Sequence, residues 1–138
     1  MKIKKAIQFF LPGVLLILAI ACNTPAVLEG TWSGYEIGSS HRDWTLTIEH
    51  NQFALICENG SMWFKGNLRL NTNCNRKKMD LLISDSPIQI YNGKTAFGIY
   101  EIEDDSLILV TAEPGNRHRP FSLQETVGVL AFVFEKGN

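Results

Sequence analysis

Trp44-Thr45-Leu46-Thr47-Ile48-Glu49, then His50-Asn51, then Gln52-Phe53-Ala54-Leu55-Ile56-Cys57 is the stretch that decides the fold. Trp44, Leu46 and Ile48 alternate with Thr45, Thr47 and Glu49, the period of a strand with one buried face. Phe53, Leu55 and Cys57 repeat that alternation after His50-Asn51, which has the length of a tight hairpin loop. With those two residues as the loop, Ile48 faces Phe53, Leu46 faces Leu55 and Trp44 faces Cys57. All six are apolar and share one face. A slip of one residue would turn the whole set to solvent, so the register is strongly specified.

Downstream, Asn59-Gly60 marks a second hairpin, with positive φ expected at both residues. Its register sets Cys57 opposite Met62, Leu55 opposite Phe64 and Phe53 opposite Gly66. The inward stripe runs on through Leu68 and Leu70, while Trp63, Lys65, Asn67 and Arg69 point out. Cys57 then lies near one turn and Cys74 beyond the far end of the next strand. Roughly a dozen residues at about 3.3 Å each separate them, well outside disulfide reach, so no bridge is expected. Arg76-Lys77-Lys78 reads as a solvated edge. Asn59-Gly60-Ser61 matches a glycosylation acceptor, but the turn already accounts for it.

Met79 to Ile83 forms another strand, and Ser84 to Lys94 a longer connection. Thr95 to Glu103 and Ser106 to Ala112 pair across Asp104-Asp105. Both faces of that hairpin are apolar: Ala96, Tyr100, Ile102, Leu107 and Leu109 on one, Phe97, Ile99, Ile108 and Val110 on the other. Such strands are buried on both sides or expose a greasy patch. Val127 to Lys136 is the last strand and has the same character. The total is about eight strands, with a turn near Phe121 to Glu125 as the one helical candidate of the mature part. The fold class is therefore all-β, an antiparallel up-and-down barrel of about eight strands, since closure removes exposed edges. Trp44, Leu46, Phe53, Leu55, Phe64 and Leu68 are the candidate lumen lining. Barrels of this size are filled by side chains or hold one small ligand; with strands this short, a mostly filled barrel with a small open mouth is expected.

The chain has 138 residues, enough for one domain with a real core. Its start is different in kind. Lys2, Lys4 and Lys5 precede the apolar run from Ala6 to Ala21, broken by Pro12-Gly13, which is the pattern of a secretory signal helix. The expected organisation is a signal peptide over 1–21, a tether over 22–28 and a barrel over 29–138. Without residues 1–21, ten basic and fourteen acidic residues remain, a formal charge of −4. That balance argues against nucleic acid as a partner.

Three resemblances add to this reading. Ala19-Ile20-Ala21-Cys22 resembles the lipobox of bacterial lipoproteins, although leucine is usual where Ala19 stands. It implies acylation of Cys22 and a lipid-anchored place in the bacterial cell envelope, with the outer membrane favoured where there is one, because Asn23 is not aspartate. Gly30-Thr31-Trp32 resembles the first-strand signature of lipocalins, which implies that Trp32 plugs the closed end of the barrel. Finally, Gly30-Thr31-Trp32, Met79-Asp80-Leu81, Gly98-Ile99-Tyr100-Glu101, Asp105-x-Leu107 and Arg119-Pro120 fall in an order similar to that of a family of small bacterial lipocalin-like domains first noted in planctomycetes. Members commonly carry a basic residue closing the last strand, a role only Lys136 can fill here. The family implies an eight-stranded calycin-type barrel and lends no activity.

No motif for catalysis, metal or cofactor stands out. His41-Arg42-Asp43 holds a His and an Asp close in sequence, but no further group completes the constellation that acid–base catalysis requires. No nucleophile elbow, His-x-x-x-His or Cys-x-x-Cys occurs. An enzyme is not expected, and neither is a cofactor. Arg117 and Arg119 are candidate anion contacts, weighed against a solvated loop in which Arg119 fixes the barrel end. Two functional expectations result. One is an envelope lipoprotein binding a small lipophilic or amphiphilic ligand. The other is an envelope protein-interaction module, like the small barrel lipoproteins that inhibit lysozymes, using the two-faced hairpin around Tyr100.

Overall fold

A computed structural model describes residues 24–39, 43–71 and 77–137. The expected signal helix, Cys22, Cys74 and the His41-Arg42 pair lie outside the described residues. Those residues form eight antiparallel strands: β1 (Gly30–Glu36), β2 (Asp43–Glu49), β3 (Gln52–Cys57), β4 (Trp63–Asn71), β5 (Lys77–Asp85), β6 (Thr95–Glu103), β7 (Ser106–Ala112) and β8 (Val129–Lys136). Each pairs with its neighbour in sequence, and β8 pairs with β1 to close a barrel. The helical content among the described residues is one 3-10 turn at Gln89–Tyr91 rather than the turn expected near Phe121.

The registers read from alternation are the observed ones. Across β2 and β3, Trp44 meets Cys57, Leu46 meets Leu55 and Ile48 meets Phe53. His50 and Asn51 supply the left-handed backbone of that two-residue loop, with φ of 49° and 63°. Across β3 and β4, Leu55 meets Phe64 and Phe53 meets Gly66. The turn between them corrects the expectation for Asn59. Only Gly60 takes a positive φ there. Gly60 N–H donates to the Cys57 carbonyl and Cys57 N–H to the Met62 carbonyl, so Glu58 to Ser61 form a four-residue loop. The Asn59 side chain accepts from the Ser61 N–H and hydroxyl instead of bending the backbone.

The seam that closes the ring pairs Gly34 with Phe134. A Cβ on Gly34 would stand 1.8 Å from the Val133 carbonyl oxygen, so no larger residue could sit there at this approach. Gly66 plays the same part where β4 slips one residue against β5; its Cβ would meet the Leu82 carbonyl oxygen at 1.9 Å.

The two ends of the barrel differ. At one, residues 24–29 fold across the opening, with turn hydrogen bonds from Leu28 to Pro25 and from Glu29 to Ala26. Leu28, within the stretch expected as a tether, is buried in the core. Trp32 is fully buried beneath them and donates its indole N–H to the Leu28 carbonyl at 2.9 Å. The Lys136 ammonium lies 5.4 Å from the Trp32 ring and donates to the Val27 carbonyl. Thr24 bonds to the Asn51 side chain, which ties this segment to the β2–β3 loop. The opposite end gathers the longer connections after β1, β3, β5 and β7, and serves as the mouth.

The apolar outer face of β6 and β7 is buried too. Ile99, Val110 and Ala112 point away from the lumen, yet almost none of their surface reaches solvent. Residues 113–128 run across this wall as a strap. Arg119 pins the strap: its guanidinium donates to Asp80 at 2.5 Å and to the Gly98 carbonyl at 2.7 Å, and lies over the Phe97 ring. Asp80 is itself buried and also receives Arg69. A buried carboxylate that loses one of two cations is left partly uncompensated.

Replacing Arg119 by Ala is expected to cost about 2 kcal/mol of unfolding free energy, the range for hydrogen bonds to charged groups. It should also raise proteolysis within residues 113–128, measured by denaturant melts and limited digestion. Melts and cleavage indistinguishable from the parent chain would show that Arg119 does not hold the strap.

Candidate functional site

A cavity of about 280 Å³ opens at the mouth and reaches into the lumen. Alternation along the strands supplies its walls. Leu55 and Phe64 come from β3 and β4, Leu81 and Ile83 from β5, Ala96 and Thr111 from β6 and β7, and Leu130 and Phe132 from β8. Tyr91 on the 3-10 turn and Glu113-Pro114 at the start of the strap form the rim, with Gly128 and Val129 closing its other side. Most of this surface is carbon, the composition of a site that recognises apolar molecules with a few placed polar groups.

The six residues expected to line the lumen all face inward and all are buried. The cavity touches only two of them, Leu55 and Phe64. Trp44 sits one layer behind, stacked on Phe64 with centroids 6.4 Å apart and edge-on to Phe132 at 5.7 Å. Its indole N–H is buried and has no hydrogen-bond partner among the described residues. Leu46, Phe53 and Leu68 pack in the core and do not line this cavity. The barrel is thus filled toward the capped end and hollow at the mouth.

Two polar groups of the rim act as a pair. The Tyr91 hydroxyl donates to the Glu113 carboxylate at 2.7 Å. That bond, reinforced by burial and by the negative charge beside it, raises the Tyr91 pKa above the ordinary 10.0. Tyr100, inside the barrel, is raised as well, by burial. Neither Tyr91 nor Glu113 carries a periodic signal in the sequence, because both belong to connections. The β6–β7 part of the wall was ambiguous for another reason: with both faces apolar, period two does not say which side is the lumen.

Arg119 is committed to Asp80 and Gly98 on the outer wall, while Arg117 is exposed on the strap. Arg119 therefore fixes the strap and not the barrel end. Cys57 is a free thiol, buried in the core. Among the described residues no group of three His, Cys, Asp or Glu side chains could hold a metal ion.

No protein-family model, curated protein or solved structure matches this chain.

Both tyrosines have folded pKa values above their unfolded ones, so their protonated forms add stability that is complete below about pH 10 and lost as pH rises through the folded values. An absorbance titration should show Tyr91 ionising above 10.0, and Glu113→Ala should move it down by removing acceptor and charge together. A Tyr91 titration indifferent to that change would show that the rim pair does not form in solution.

Proposed function

We propose that this protein is a carrier in the bacterial cell envelope, anchored by an acylated Cys22, whose barrel holds a small lipophilic or amphiphilic molecule at its mouth. The observation that carries the proposal is the hollow at one end of an otherwise filled barrel, with carbon walls and a polar rim. A volume of about 280 Å³ falls near the lower limit for small-molecule sites, roughly 300 Å³, which points to a short chain or a single ring system. In this reading the protein transforms nothing and needs no cofactor or metal.

The closed end supports a calycin-like reading. Trp32 is buried under a cap with Lys136 over its ring, the two places that the lipocalin and planctomycete-family resemblances single out. The same end orients the molecule. Thr24 lies beside the β2–β3 loop at the closed end, which in this reading is the end nearer the anchor. Several acyl chains on Cys22 would stand the barrel on the bilayer by that end, with the mouth turned toward the aqueous side.

The interaction-module reading loses its motive. It needed the outer face of the β6–β7 hairpin to be available, and the strap covers Ile99, Val110 and Ala112. Exposed apolar residues remain elsewhere, among them Phe121 and Val127 on the strap, Ile90 on the 3-10 turn and Tyr35 and Ile37 toward the end of β1, but none belongs to the hairpin face that motivated this reading.

Two measurements test the proposal. Metabolic labelling with a radioactive fatty acid should mark the parent chain and leave Cys22→Ser unlabelled; equal labelling would remove the anchor. A neutral lipophilic dye, N-phenyl-naphthylamine, should bind once per chain and brighten. Ala96→Phe, which fills the hollow, should weaken that binding at least tenfold, about 1.4 kcal/mol, while thermal melts confirm folding. Dye binding unaffected by Ala96→Phe would place it outside the cavity and contradict the carrier role.

A further inference from the structure

Resting on the reading that the cavity holds a ligand, we propose that the ligand is a cationic amphiphile, an apolar body bearing a protonated amine that sits against Glu113 and Tyr91. The polarity of the rim carries this. Tyr91 has one hydroxyl proton, and that proton is given to Glu113 at 2.7 Å. What the phenol offers a ligand is its oxygen lone pairs, and a carboxylate has acceptor sites only. Both rim groups therefore accept hydrogen bonds, and a head that donates is the one they satisfy.

Charge points the same way. None of the residues lining the cavity is basic. Glu113 forms no ion pair with any described residue. The Lys94 stem passes beside Gly115, and Lys94 forms no ion pair with Glu113. A fatty acid entering tail first would bring its carboxylate to a carboxylate, with no arginine or lysine in the cavity lining to receive it. An ammonium in the same place would supply the missing positive charge and up to three donors. The fit in depth is consistent, since Leu81, Ile83, Ala96 and Phe132 lie inward of the rim and can take only an apolar tail.

The test compares octylamine, octanol and octanoate by calorimetric titration of the purified full chain at pH 7, each below its micellar concentration, with Glu113→Gln beside the parent. Glutamine keeps an acceptor for Tyr91 and removes the charge. The expected result is that octanol binds and octylamine binds on the order of tenfold tighter than octanoate, the ratio of a partly screened charge pair. In Glu113→Gln that ratio should fall toward one. If octanol binds but octanoate matches or exceeds octylamine, or if the amine preference survives Glu113→Gln, the head-group assignment is wrong and the lipophile site stands. If none of the three binds, the carrier reading fails and the assignment with it.

Discussion

Everything else in this structure depends on the seam where β1 meets β8. Seven hairpin pairings could exist in an open, curled sheet; only the eighth makes an inside. The seam closes because Gly34 leaves the space a Cβ would fill against the Val133 carbonyl, letting two backbones of opposite direction come together over Trp32 to Glu36 and Phe132 to Lys136. Closure converts a set of half-apolar strands into one core and leaves no unpaired edge for another chain to extend. It also gives the capped end and the mouth distinct meanings, because a lumen exists only once the ring is shut.

The division of labour between those ends follows from what the chain brings to each. The capped end receives two tight hairpin loops, the amino-terminal turn with Leu28, and Lys136 at the close of β8, all around the Trp32 ring. Short loops pack closely and leave no volume. The mouth receives the long connections, including the 3-10 turn with Tyr91 and the strap that begins at Glu113. Long connections cannot fill a barrel end by themselves, so a hollow stays between them. The strap then crosses the β6–β7 outer wall, where Arg119 locks to a buried Asp80. One segment thus covers a surface that would otherwise aggregate and sets one side of the cavity rim.

The fold could be read from residues 44–70 almost unaided. Period two is a binary signal, and where Trp44, Leu46, Ile48, Phe53 and Leu55 alternate with polar residues it has one solution. The observed registers match it pair for pair. The turn at Asn59-Gly60 shows the limit of that signal: strand pairing was readable, but a four-residue loop with one left-handed residue serves as well as the two-residue form. In β6 and β7 the signal is absent, because the outer face is buried by a strap that no local pattern announces. The site was the hardest part. Of the expected lumen residues, Leu55 and Phe64 reach the cavity, while Trp44 backs it and Leu46, Phe53 and Leu68 fill the core. Which inward residue meets a hollow depends on distance from the mouth, a long-range quantity. Tyr91 and Glu113 are joined only by the fold, and Arg119, read as a candidate anion contact or a barrel-end residue, has its partner Asp80 on the outer wall.

The carrier reading therefore stands or falls with a ring that is shut and hollow at one end. The most direct test is a backbone NMR measurement of the β1–β8 seam. The account predicts cross-strand contacts pairing Gly34 with Phe134 and Trp32 with Lys136, and slow amide exchange along both strands. Absent contacts, with β1 and β8 amides exchanging as fast as those of an exposed edge, would mean an open sheet and would contradict it.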